Sequence, residues 1–276
     1  MSTIPLITYE TPRPGVARIE LARPEARNAQ SSELLYQLND GFDRAAADDT
    51  VRAVVLTASG PHFSAGHDLT ETTMDETFDR RPRVGTWCGH HLPGAEGVLA
   101  KESEIYLGFS ERWRNLPKPT IAAVQGKAIA GGLMLAWPCD LIVASDDAEF
   151  IDNTVDMGVA GAEFFNHPWE LPPRIAKEML FTSGALTAEQ AHRFGMVNHV
   201  VPRQDLIQVT LDLAERIATK PSLALRLAKA SVNAAQDAQG RSSAMQTAFA
   251  NHQLCHSHNQ QLFGLPIDPS FTLARK

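Results

Sequence analysis

The sequence predicts an α/β fold, and three observations carry that prediction. Short apolar runs of strand character alternate with helix-like stretches over roughly the first two hundred of the 276 residues, an order that implies βαβ units with right-handed crossovers. Two of the runs break into glycine-bearing turns, Phe63-Ser64-Ala65-Gly66-His67-Asp68-Leu69 and Gln125-Gly126-Lys127-Ala128-Ile129-Ala130-Gly131-Gly132. Beyond about Val201 the patterning is helical only.

Strand-like runs fall at Ile7–Glu10, Ala17–Leu21, Val51–Thr57, Thr120–Val124 and Leu141–Ala144. Between the second and third, Ser31–Ala47 carries Leu34, Leu35, Leu38 and Phe42 at helical spacing, with Ser31 or Ser32 as the cap. Residues 70–103 are polar, mixed in charge and interrupted by Pro82 and Pro93, and read as a long insertion or mobile segment over the site. Ile121–Trp137 approaches membrane-spanning length, but Gln125, Lys127 and three glycines make it a buried strand, turn and core helix. At the end, Asp205–Thr219, Pro221–Ala235 and Met245–His258 read as helices whose apolar faces need a core or a second subunit.

Composition narrows the function classes. A hydrophobic fraction of 43% is that of a soluble globular protein, and a net charge of -7 argues against general nucleic-acid binding. Three cysteines (Cys88, Cys139, Cys255) are too few for a disulfide framework and fit a reducing compartment. Met1–Pro14 lacks the basic-then-apolar pattern of a signal peptide, so a cytoplasmic location without membrane association is expected.

The glycine breaks carry the chemistry. Backbone N–H groups at a strand-to-helix break have no partner inside either element, and two of them converging from two loops can hold a developing oxyanion. Neither loop is a Walker loop, since no Gly-Lys-Ser/Thr follows, and Gly126-x4-Gly131 lacks the Gly-x-Gly step of a dinucleotide site. Further motifs flank them. Glu20-Leu21-Ala22-Arg23-Pro24-Glu25-Ala26-Arg27-Asn28-Ala29 precedes both, and Cys139-Asp140-Leu141-Ile142-Val143-Ala144 and Ala148-Glu149-Phe150 follow. Gly184-x-x-Leu-Thr-Ala-x-x-Ala191 and Gly195-Met196-Val197-Asn198-His199-Val200-Val201 come last.

In this order the motifs resemble the crotonase superfamily, the enoyl-CoA hydratase/isomerase family, over about residues 5–230. The resemblance implies a crotonase-type spiral of ββα turns with the CoA site in residues 1–200, and a C-terminal helical region, 201–276, that makes homotrimers, often paired into homohexamers. It implies an acyl-CoA thioester substrate, with coenzyme A part of the substrate and no separate cofactor. The oxyanion donors would be the backbone N–H groups of His67 and Gly131. Ala26 and Arg27 would meet the nucleotide end of CoA, Arg27 as a phosphate partner, and Ala65, Asp68 and Leu69 would lie near the adenine. The His67 ring either contacts the CoA or faces solvent.

Two departures bear on the reaction. Where family hydratases carry their two water-activating glutamates, this chain has Met134 and Thr154. Methionine transfers no proton, and threonine is no general base near neutral pH. Glu163 lies one residue beyond Ala162, which holds the position of an aspartate in some isomerases and dehalogenases of the superfamily. A one-residue slip in the Gly158–Gly161 loop would make Glu163 the acid or base, with Phe164 and Phe165 beside it raising its pKa; the alternative is an exposed loop glutamate. Asp152, Asp156 and Glu111 are lesser candidates, Glu111 with Arg112 or Arg114 as possible ion-pair partners. His252, Cys255 and His256 share one helical face at zinc-like spacing, but lie outside the matched motifs and are read as incidental, with no metal expected.

The resulting expectation is an acyl-CoA-processing enzyme grouped with enoyl-CoA hydratases and passing through a thioester enolate. Isomerisation or hydrolysis through Glu163 is the first alternative, and a non-catalytic acyl-CoA-binding protein the second.

Overall fold

In the computed structural model, residues 5–273 are described. The strands are β1 (Ile7–Arg13), β2 (Val16–Leu21), β3 (Ala53–Ala58), β4 (Thr120–Val124), β5 (Lys127–Ile129), β6 (Leu141–Ser145), β7 (Glu149–Ile151), β8 (Ala185–Thr187) and β9 (His199–Val201). Six of them form one sheet in the order β1-β2-β3-β4-β6-β9, and β5-β7-β8 form a second. β1 and β2 are an antiparallel hairpin, and every later pairing in the larger sheet is parallel.

Every residue of β3 and of β4 is buried, as expected of parallel strands covered on both faces. Alternate side chains divide between two cores. Val54, Leu56, Ala122, Val124 and Ala144 face the main core, while Ala53, Val55, Ile121, Ala123 and Val143 face the other way. That second face is covered by the helix Leu206–Ala218, through Leu206, Leu211, Leu213 and Ala214.

From β4 onward the chain passes between the sheets: β4 leads to β5, and β6 to β7. A parallel bridge from Ser64 to Ala128 on β5 extends the small sheet to the first glycine loop. The two glycine loops therefore lie side by side.

The helices are α1 (Ser32–Ala47), α2 (Met74–Arg80), α3 (Ala95–Glu102), α4 (Phe109–Arg114), α5 (Gly131–Ala136), α6 (His167–Glu170), α7 (Pro173–Thr182), α8 (Ala188–Arg193), α9 (Leu206–Ala218), α10 (Ser222–Ala238), α11 (Arg241–Phe263) and α12 (Ser270–Leu273). Ser31, not Ser32, caps α1, its hydroxyl accepting from Leu34 N–H at 3.3 Å. Ser32 instead gives its N–H and hydroxyl to the Glu71 carboxylate at 2.9 and 2.5 Å, placing negative charge at the positive end of α1.

Segment 70–103 is more ordered than its composition predicts. It contains α2 and α3, buries Phe78 and His90, and is tied down where the Glu104 carboxylate accepts the N–H groups of Val84 and Gly85 at 2.6 and 2.7 Å. Arg80 and Arg81 pair with Glu33 of α1. A π-helical turn, Ser103–Gly108, joins α3 to α4. Among the described residues no helix is long and apolar enough to cross a membrane.

Candidate active site

The site forms where residues 28–30 run between the two glycine loops. Gln30 N–H donates to Gly66 O at 2.8 Å and Asp68 N–H to Gln30 O at 3.0 Å. This pairing uses the residues on either side of His67 and leaves the His67 N–H pointing away from the ladder. Gly131 opens α5, where the first N–H groups have no helical acceptor. Neither N–H meets a protein acceptor among the described residues. Ala130, just before, sits at φ 45° and ψ -102°, a strained conformation for a residue with a side chain and one that turns the chain into the helix.

Glycine is sterically required on both loops. Gly66 has φ +88°, and a Cβ there would come within 2.8 Å of Ile129 O and 3.4 Å of Gly131 N. A Cβ on Gly131 would lie 2.7 Å from His67 Nδ1 and 2.9 Å from Gln30 Oε1. The His67 ring thus lies directly against Gly131 and is only partly exposed. It stacks on Tyr106 with centroids 3.9 Å apart and planes at 21°. Gln30 joins both loops: its Nε2 donates to Gly131 O at 2.6 Å, leaving Oε1 to face His67 Nδ1 at 3.2 Å. The other ring nitrogen, Nε2, lies 3.1 Å from both carboxylate oxygens of Glu163.

Glu163 is only 3% exposed, so it is no surface loop glutamate. The expectation of a raised pKa fails. Burial does push the carboxyl up, but the His67 and His252 rings outweigh it and hold Glu163 below the usual carboxylate value. The aromatic neighbours in sequence are not what faces the carboxylate. His252 Nε2 lies 3.5 Å from Glu163 Oε1, and burial, which lowers the His252 pKa, is overcome by Glu163 and Glu102, which lift it to about 9.

The other carboxylates are occupied. Asp152 is fully buried and binds His167 Nε2 at 2.9 Å, the Thr154 hydroxyl at 2.6 Å and Ala162 N–H at 3.2 Å. It fixes the loop that carries Glu163. Asp156 is exposed. Glu111 pairs at 2.9 Å with Arg241, a buried arginine, rather than with Arg112 or Arg114. Met134 is buried, and Thr154 spends its hydroxyl on Asp152.

The positions matched to CoA contacts gather at one edge. Ala65 N–H donates to Arg27 O at 2.9 Å, bringing Ala26 and Arg27 beside the first loop. Arg27 is exposed, at φ 53°, and makes no ion pair among the described residues. Leu69 is 62% exposed. Asp68 is already held by Arg23 at 2.6 Å, which with the Thr70 hydroxyl outweighs burial and keeps its pKa low. Gln30, Tyr106 and Glu102 are site residues that sequence reasoning misses. Gln30 follows directly on the quoted motif ending at Ala29, whereas Tyr106 and Glu102 carry no sequence signal.

The family described as enoyl-CoA hydratase/isomerase matches residues 11–85 and 94–264. The chain is 44% identical over 265 residues to the protein named as enoyl-CoA hydratase EchA13 in Mycobacterium tuberculosis, covering 94% of this chain and 83% of that protein. A crystal structure of a probable enoyl-CoA hydratase from Mycobacterium smegmatis superposes with a TM-score of 0.86 at 47% identity, over 96% of this chain and 99% of the other. A 4-chlorobenzoyl coenzyme A dehalogenase from Arthrobacter is 31% identical over 210 residues, 75% of this chain and 71% of that enzyme.

Proposed function

The chain belongs to the enoyl-CoA hydratase/isomerase family, and from that premise we propose that it is an enzyme processing an acyl-CoA thioester through an enolate, with Glu163 moving the proton. The observation that carries this reading is the buried Glu163 carboxylate 3.1 Å from a His67 ring that lies against Gly131. The thioester oxygen would sit between the N–H groups of His67 and Gly131. Such donors contribute roughly 3–4 kcal/mol each to the transition state in comparable sites. Coenzyme A would enter along the edge holding Ala26, Arg27, Ala65, Asp68 and Leu69, with the Arg27 guanidinium on a phosphate.

Glu163 is held ionised, which suits abstraction of a proton from the carbon next to the thioester. Hydration is the reaction with which the relatives' names group the chain. A second reading, isomerisation or hydrolysis by the same carboxylate, is favoured by Met134 and Thr154, which put no carboxylate at either position where family hydratases carry their glutamates.

Glu163→Gln tests the assignment. With crotonyl-CoA and a longer enoyl-CoA as substrates, followed by loss of the conjugated-thioester absorbance, turnover should fall by roughly 10²–10⁴. Affinity for a saturated acyl-CoA should persist, because the proposed oxyanion donors are backbone groups. Full activity in the variant would remove Glu163 from the reaction. Thioester binding without turnover of any of these substrates by the unaltered protein would point to a binder instead.

A further inference from the structure

Around Glu163 lies a second constellation, whose other members, Glu102, His252 and His256, the proposed reaction does not use. Glu102 at the end of α3, Glu163, and His252 and His256 on α11 direct four ligand atoms into one space, all within 4.8 Å of one another. His252 Nδ1 lies 2.7 Å from Gly161 O, and His256 Nδ1 lies 2.7 Å from Pro266 O. A carbonyl oxygen only accepts, so each Nδ1 carries a hydrogen and each Nε2 is turned inward. Without a metal the His252 ring also holds a proton on Nε2, which a bound cation would displace. The two Nε2 atoms face each other at 2.8 Å, with Glu102 oxygens at 3.2 Å from His256 and 3.5 Å from His252, and Glu163 at 3.5 Å from His252.

Two carboxylates and two imidazole nitrogens converge on one space, and without a metal a proton on the His252 ring offsets part of their negative charge. One shared proton would reconcile two of the four atoms, whereas a divalent cation would satisfy all four and cancel the two negative charges. Tetrahedral zinc with bonds of about 2.0–2.2 Å has ligand-to-ligand edges of roughly 3.3–3.6 Å. Of the six pairs among four ligands, His252–Glu102, His252–Glu163 and His256–Glu102 approach at or within about 0.1 Å of that range, Glu102 using a different oxygen for each histidine. The two imidazoles are closer than the range and would have to part, and every ligand atom lies within 4.8 Å of the others. The backbone carbonyls that hold both Nδ1 atoms are the outer hydrogen bonds that histidine ligands use to fix tautomer and ring orientation.

We propose that Glu102, Glu163, His252 and His256 form a binding site for a divalent transition-metal cation of the zinc type. Cys255, which shares the helix, is not one of the ligands, so the spacing that first suggested zinc names two of the correct residues and one wrong one. The cation would tie α3, the Glu163 loop and α11 together. Glu163 presents both oxygens to His67, so the same carboxylate would bridge the cation and the proposed reaction site.

The test is metal binding, measured without acyl-CoA so that its outcome is separate from the proposed reaction. Untagged full-length protein, stripped with chelator, is titrated with zinc chloride by calorimetry and with cobalt chloride by visible absorption. One equivalent per chain is expected, with the intense cobalt bands of a four-coordinate site. His256→Ala and Glu102→Gln should each weaken binding at least ~10-fold, since even the outer partners of metal ligands are worth that much. Cys255→Ala should bind as the unaltered protein does. Circular dichroism establishes that each variant is folded, and the titration of the unaltered chain stands without them. Absence of a stoichiometric site at micromolar metal, or full binding in folded His256→Ala and Glu102→Gln, would overturn the proposal and leave a shared proton between the two imidazoles.

Discussion

At the scale of single residues, Gly131 has no room for a side chain in the candidate site. Any Cβ there would enter the space of the His67 ring and the Gln30 amide. Neither neighbour has free room, because His67 is stacked on Tyr106 and Gln30 is bonded to Gly131 O. Gly131→Val should therefore displace both loops and abolish binding of a saturated acyl-CoA in a calorimetric titration, even if the protein remains folded. Unchanged affinity in a folded variant would show that the substrate lies elsewhere. Glu163 illustrates how far a residue's neighbours in sequence mislead about its chemistry. Phe164 and Phe165 suggest an apolar setting, yet the carboxylate is flanked by histidines contributed from about ninety residues away on either side of it in the chain. Glycine at positions 66 and 131 was legible because a break needs it locally. The partners of Glu163 were not, because only the tertiary fold brings them together.

At the scale of elements, the loop from β7 to α6 holds the proposed base in place through Asp152. Its carboxyl is buried, which would raise its pKa, but His167 and Thr154 hold it at about 2, below the ordinary 3.8. A depressed carboxyl adds stability that is present above its unfolded value and is lost as pH falls from about 4 towards 2. The shift corresponds to on the order of 2 kcal/mol. Urea unfolding of Asp152→Asn should show a loss of about that size near pH 6 and a flatter acid limb than the unaltered protein. Glu170 at the end of α6 behaves oppositely. Burial lifts it to about 7 despite its hydrogen bond from Asn166. The folded state then keeps a proton that the unfolded chain has released, so stability should decline as pH rises from about 4.5 to 7. Glu170→Gln should remove that decline, and an unchanged pH profile would mean that the Glu170 carboxyl titrates normally. Element identity followed from the sequence where the runs are long. β4 matches its expected bounds, and α1 begins one residue late only because Ser31 is its cap. The strands β5, β7, β8 and β9 are three residues each, too short for any periodicity to register, and their pairing depends on long-range ladders.

At the scale of the whole molecule, α10 has no buried residue, and Leu223, Leu227 and Val232 are 65%, 55% and 63% exposed on it. We propose that copies of this chain associate through the C-terminal helices as trimers or hexamers, which would cover these side chains. Sedimentation velocity at micromolar concentration should show the assembly, and a Leu223→Glu/Leu227→Glu double variant should shift it towards smaller species. A monodisperse unaltered monomer would reject it. The apolar runs of β3 and β4 were legible as strands from the chain alone, but not which helix covers their second face.

That cover has a temporal consequence. α9 lies at residues 206–218, whereas β2 and β3, whose outer faces it seals, are complete by Ala58. On a ribosome adding roughly 5–20 residues per second, Val16, Ala53 and Val55 would wait on the order of ten to thirty seconds for their partners. Through that interval the nascent chain presents a sticky, half-clad sheet. Its safe passage depends on the last quarter of the message being translated promptly, or on a chaperone standing in for a helix not yet made.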